Sequence, residues 1–277
     1  FRNAKKKLKA MVNCQFPVIL LSPFRNIFPH PYNSFVNMTH IRSIAVRLTI
    51  TFSAITLFVL LSTGSFAQDG KALFHMSYNP DRGGSYVTDK PGFISQWNNA
   101  SEQRMMYLQA AKSLGSMQAR KLYAGFSRNT GQYQGAQFIM NPLGSLYAYL
   151  CTEAWLDSRR YLDPDGVDWF ENLRLAALAN RQFCLEHAEN FRTYHTNSWG
   201  ISSGDSPHGY AVFSGEPCFG KPYHDGTVSI WSAIACLPVL PAETSALIEY
   251  LYTSHPQTYG KYGFFSAYNL DVQPPWY

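Results

Sequence analysis

The 277-residue chain has little charge, with Asp, Glu, Lys and Arg making up 15% of it. What charge there is falls unevenly. The first 67 residues hold eight Lys/Arg and no acid, which leaves 15 Lys/Arg against 18 Asp/Glu in the remainder. The formal excess of +5 therefore belongs to the N-terminal segment. No cationic run follows Ala67, which excludes a phosphate-binding surface of the kind nucleic acids require. The five cysteines show no C-x-x-C spacing, which excludes a zinc ribbon or redox motif. There is no G-x-S-x-G elbow, no Gly-rich phosphate loop behind a strand and no helical H-x-x-x-H pair. Neither a metal nor a cofactor is expected. The apolar run Leu48 to Leu61 falls short of the roughly 20 residues that span a bilayer, so no stable membrane anchor is expected either.

That run has the plan of an export signal. Arg42 and Arg47 precede it, and Ser65-Phe66-Ala67 places small residues where a signal peptidase cuts. Residues 38–67 read as a signal peptide cleaved after Ala67, giving a secreted or periplasmic product. Residues 1–37, with Lys5-Lys6-Lys7-Leu8-Lys9 and a Pro- and Phe-rich stretch, resemble no domain and read as an upstream, non-native extension. The fold is expected within 68–277. Cys14 lies upstream. Cys151, Cys184 and Cys236 sit in apolar, helix-like settings, and with Cys218 they read as free thiols rather than two disulfides.

Within 68–277 the pattern is all-α. Segment 68–99 reads as loop, with Asn79-Pro80-Asp81-Arg82-Gly83-Gly84 as a turn signal. Helices are predicted over 100–116, 142–157, 167–188, 227–237 and 241–254. The third carries Trp169, Leu173, Ala176, Ala177, Asn180 and Cys184 at spacings of three and four, a buried helical stripe. Residues 190–226 lack periodicity and are rich in Gly and aromatics, so they read as a functional loop rather than a disordered one.

The loops mix Trp97, Trp199, Tyr210, Phe213, Phe219, Tyr223 and Tyr259 with Asp205, Glu216, His224 and Asp225. Aromatic faces suit the C–H faces of neutral sugars, and carboxylates suit their hydroxyls. Glycoside hydrolysis needs two carboxyl groups, one acid and one base or nucleophile. Aromatic loops also build protein interfaces, so composition alone does not decide.

Four stretches are more specific. Phe170-Glu171-Asn172-Leu173-Arg174, continuing to Ala179-Asn180-Arg181-Gln182-Phe183-Cys184, resembles the F-E-N-S-R…A-Q-R-x-Y-C helix of the glycoamylase-like family. Trp199 to Tyr210 (WGISSGDSPHGY) is similar to its W-G-[LI]-T-A-S-D-G-P-x-G-Y loop. His224-Asp225-Gly226-Thr227-Val228, running to Leu237-Pro238, resembles its D-D-G-T-[IV]…S-L-P segment, and Tyr259 to Leu270 its W-G-x-Y-G-F-x-D-A-F-N. The resemblance implies an (α/α)6 toroid or barrel with functional loops at one end. It also implies export and an endo-β-glucanase type of chemistry on β-glucan, β-1,2-linked, with a polysaccharide or oligosaccharide as partner. Twelve helices make such a barrel and this chain predicts five or six, so an incomplete, C-terminal portion is expected. Oligomeric state is not legible.

On that resemblance Glu102, near the start of a helix, is the candidate catalytic acid under aromatic cover, with a helix-dipole carboxylate as the structural alternative. Trp97, Trp199, Asp205, Tyr210 and Asp225 are the candidate substrate-binding residues. Asp205 could instead close a turn onto its own backbone, and Asp225 could cap a helix. His224 stands where the family often has a second Asp, which weakens any paired-carboxylate role there. Glu171 and Arg174 are placed for an ion pair on one helix, which reads as bracing loops rather than cleaving bonds. A sugar-binding remnant without turnover, and a polysaccharide lyase of similar toroid architecture, are the competing functions.

Overall fold

The longest described helix is the one whose pattern was clearest. The computed structural model describes residues 75–79, 92–96, 99–107 and 116–277; Trp97, Cys14, the leader 38–67 and the extension 1–37 lie outside the described residues. Every described residue falls in the unit Ser53–Tyr277.

Two antiparallel strands, β1 (His75–Asn79) and β2 (Gly92–Gln96), pair His75 with Gln96 and Asn79 with Gly92. This corrects the loop reading of 68–99 at two five-residue runs, which pair as a ribbon. The helix expected from residue 100 begins at Arg104, because residues 101–103 form a hydrogen-bonded turn. Helix α1 (Ser116–Ala124) and the hairpin β3 (Thr130–Tyr133) with β4 (Ala136–Ile139) follow. Helices α2 (Leu146–Glu153), α3 (Trp169–Glu186), α4 (Ile230–Ala235) and α5 (Pro241–Ser254) form the scaffold. The hairpin β5 (Gly204–Ser206) with β6 (Gly209–Ala211) lies between α3 and α4, and β8 (Tyr259–Gly260) with β9 (Gly263–Phe264) follows α5. A longer-range ribbon joins β7 (Val228–Ser229) to β10 (Ala267–Tyr268).

Helix α3 shows how the scaffold is built. The Asp168 side chain accepts the Glu171 amide at 2.9 Å, capping its N-terminus. Trp169, Leu173, Ala176, Ala177, Asn180 and Cys184 are all buried, as the stripe predicts. Leu173 and Phe183 alone contribute roughly 3–6 kcal/mol by leaving water. On the outer face Arg174 grips both Glu171 oxygens, at 2.6 and 2.7 Å. Helix α2 packs on α3 and α4, and α4 packs on α5. One core joins Leu146 and Leu150 of α2, Leu173, Ala177 and Cys184 of α3, Ala233 of α4, and Leu247 and Leu251 of α5. Beside it, Phe138 and Met140 of the β4 segment pack on Ala176 and Ala179.

The core is thus built mainly on helices, with Val228 and Tyr268 of the β7–β10 ribbon buried in it, so the all-α reading holds for the scaffold and misses the ribbons. Cys151, Cys184, Cys218 and Cys236 are free thiols, with Cys184 and Cys236 buried. No described helix is long and apolar enough to cross a membrane.

Candidate active site

The turn before Arg104 is fixed from below by polar groups. The Asn141 amide donates to the Ala100 carbonyl at 3.3 Å and to Ser101 Oγ at 3.1 Å, and the Ala100 amide donates to the Ser127 carbonyl. Arg104 pairs with Glu153 at 2.6 Å, both side chains buried, and its guanidinium lies 3.8 Å from the Trp169 ring centre. Burial pulls the Arg104 pKa down, and Glu153 opposes that pull. Removing one partner of such a pair leaves a buried charge, at about 3–5 kcal/mol, so the turn is rigidly seated. Glu102 sits on it, half-buried, accepting a hydrogen bond from Ser101 Oγ.

Glu102 faces the first turn of α2. The Tyr147 phenol is held well above its usual range, first by burial, then by the charges of Glu102, Cys151 and Tyr210, and by a hydrogen bond to Glu102. Tyr147 is placed by the chain's own turn chemistry. A helix N-terminus leaves amides without partners, and here Ser202 Oγ accepts the Tyr147 amide at 3.0 Å while Ser145 Oγ accepts the Ser203 amide at 2.9 Å. Below this contact Asn180 clamps Ile201, accepting its amide at 2.8 Å and donating to its carbonyl at 3.0 Å.

The same loop continues into β5–β6, where Asp205 and Tyr210 stand opposite each other. Asp205 is exposed and accepts Ser266 Oγ at 2.7 Å. Tyr210 is 71% exposed. Trp231 lies edge-to-face with Tyr147 at 6.4 Å, and its Nε1 comes within 3.8 Å of where a Cβ on Gly204 would stand. Glu102, Tyr147, Trp231, Asp205 and Tyr210 therefore form one chain of neighbours, carboxylates and half-exposed rings together.

The other sequence candidates fare differently. Trp199 is fully buried in the core with Tyr194 and Ile201, the ordinary packing role that competes with its reading as a stacking ring. Asp225 closes a turn onto the Thr227 amide at 2.9 Å, and its carbonyl accepts the Asn269 side chain at 3.2 Å. Its neighbourhood is Tyr194 and His224, and the turn-forming alternative describes it. Trp97 lies outside the described residues. Tyr147, Trp231 and Ser266 were missed. Their one sequence signal is position: Trp231 and Ser266 lie inside motifs already singled out, and Tyr147 inside the helix predicted over 142–157.

The profile of the Glycoamylase family ("Putative glucoamylase") matches residues 94–277. The chain belongs to this family. An exo-β-1,2-glucooligosaccharide sophorohydrolase (non-reducing end) of Parabacteroides distasonis is 25% identical over 192 residues, covering 69% of this chain and 25% of that protein. The solved endo-β-1,2-glucanase of Chitinophaga pinensis, in complex with sophorotriose and glucose, superposes with a TM-score of 0.61 at 21% identity. The match covers 76% of this chain and 50% of that one. A β-1,2-glucanase from Parabacteroides distasonis gives a TM-score of 0.59 at 21% identity, over 74% of this chain and 31% of its own. This family member thus shares their fold while spanning half or less of each relative's length.

Proposed function

We propose that the chain is a C-terminal portion of an exported glycoside hydrolase that cleaves β-glucan, with β-1,2 linkages as its substrate, on an (α/α)6 toroid. The observation that carries this is the neighbourhood of Glu102, Tyr147, Trp231, Asp205 and Tyr210 in a chain of the Glycoamylase family. Its similarity to β-1,2-glucan-cleaving relatives supports the linkage. Glu102 is the acid, giving its proton to the departing glycosidic oxygen. A second carboxylate takes a proton from the water that attacks the anomeric carbon on the opposite face, so the product is inverted. Tyr210 and Trp231 stack on the sugar's C–H faces, Asp205 accepts hydroxyl protons, and Trp97 belongs to the same proposal on its sequence position.

The test is incubation of the purified chain with linear β-1,2-glucan, followed by assay of new reducing ends. Glu102→Gln should slow product formation by about 10²–10⁴-fold; an unchanged rate sinks the assignment of the acid. A second reading, glucan binding without turnover, is distinguished by the same assay. Binding with no products supports it. Export is tested by the N-terminus of secreted protein, which should begin at Gln68.

A further inference from the structure

The C-terminal ribbon carries an aromatic surface that the Glu102 group does not use. Tyr259 and Phe264 are register partners across β8–β9, with ring centres 5.1 Å apart and planes at 78°. Tyr252 of α5 joins them, 4.9 Å from Tyr259 and 5.1 Å from Phe264. The Phe265 ring lies 3.0 Å from where a Cβ on Gly260 would be, so the bare glycine lets that ring rest on the ribbon. Tyr262 at the ribbon's tip is 95% exposed, and Tyr252, Tyr259 and Phe265 are exposed to nearly half.

Two observations say what belongs on this surface. The first is continuity. Phe265 is followed by Ser266, whose hydroxyl donates to Asp205 at 2.7 Å and whose carbonyl accepts the Trp231 amide at 3.4 Å. The ribbon therefore runs straight off the sugar-facing group. The second is chemistry. From Tyr259 to Phe265 the apolar side chains are aromatic throughout, with no Leu, Ile, Val or Met and no acid; Lys261 leans over the Tyr262 ring. Phenyl and phenol faces take sugar C–H surfaces, and phenol hydroxyls bond sugar hydroxyls.

We infer that Tyr252, Tyr259, Tyr262 and Phe265 form a distal subsite for a neutral glucan chain, holding sugar units beyond those at the Glu102–Asp205 group. This subsite rests on the function proposed above and sets a preference for longer chains. It adds contacts only when the bound glucan is long enough to reach the ribbon, the behaviour of two linked sites.

The test compares the affinity of the full chain for a long linear β-1,2-glucan and for sophorotriose, by titration calorimetry. The wild-type chain should bind the long glucan more tightly. Tyr262→Ala and Tyr259→Ala should each weaken that binding about 3- to 10-fold, the usual worth of one stacked ring, and leave the trisaccharide unchanged. Tyr262→Trp should retain it. Tyr262 is almost wholly exposed, so its replacement leaves the fold intact. If the wild-type chain binds both ligands and the variants alter neither, or weaken both equally, the subsite is wrong and the hydrolase reading stands. If the wild-type chain binds neither ligand, both fall.

Discussion

Asn180 is the joint between the scaffold and the loop that carries Asp205, and its removal has a calculable cost. The side chain is buried and makes three hydrogen bonds: it accepts from the Ile201 amide at 2.8 Å and donates to the carbonyls of Ile201 at 3.0 Å and Gly144 at 3.4 Å. In Asn180→Ala the Ile201 carbonyl keeps the Leu146 amide as donor at 3.2 Å. The Ile201 amide keeps nothing. A buried donor left unpaired costs about 1–3 kcal/mol, and the small void adds about 1 kcal/mol more. The expected loss is thus about 2–4 kcal/mol, a large share of the roughly 5–15 kcal/mol by which a domain is stable. Urea unfolding followed by tryptophan fluorescence should show the midpoint fall by about 1–2 M with an unchanged slope. Glucan binding should weaken as well, because the Ser202 and Ser203 contacts that seat Tyr147 hang from Ile201. A midpoint within about 0.3 M of wild type would refute the claim that this amide holds the loop.

Two tryptophans that composition cannot tell apart should separate by experiment. Trp199→Ala should cost about 3–5 kcal/mol in stability, while Trp231→Ala should leave the unfolding midpoint nearly unchanged and weaken glucan binding; the reverse pattern would overturn the site. His224 should make stability fall on acidification. Burial and the neighbouring His187 lower its pKa from 6.5 to about 4, against an upward pull from Asp225. Between those values the unfolded chain binds the proton and the folded chain does not, so stability present at neutral pH is lost as pH falls from 6.5 towards 4. The full shift corresponds to about 3 kcal/mol, and solvent reaching the ring cuts this to about 1–2 kcal/mol. His224→Gln should flatten that slope in unfolding measured across the pH range, and an unchanged slope would place the effect elsewhere.

The scaffold was legible because helix α3 repeats its apolar residues at the period of its own backbone, and Pro241 marks where α5 starts. The rim was less so. His75–Asn79 and Gly92–Gln96 are too short to show an alternation that stands out from loop. Helix α1 has a weak apolar face, with Met117 exposed, and nothing in Ser116–Ala124 demanded a core. At the site, Glu102, Asp205 and Tyr210 were singled out because loop carboxylates beside exposed rings have few structural uses. The burial of Trp199 was not legible because the burial of a loop residue is decided by what packs around it, here a core that includes Tyr194 and Ile201. Asp225 was ambiguous for the opposite reason: a carboxylate two residues before Thr227 satisfies a local amide as readily as it meets a ligand.

Four of the five described ribbons close on themselves within a few tens of residues, and only β7–β10 ties distant parts of the chain together. A hairpin of that kind has no neighbour whose register it must respect. Such edges behave as interchangeable cassettes: lengthening β5–β6 or recolouring the tip of β8–β9 reshapes the surface around Asp205, Tyr210 and Tyr262 while the helices beneath keep their places. Divergence in what these edges contact therefore needs no rebuilding of the frame.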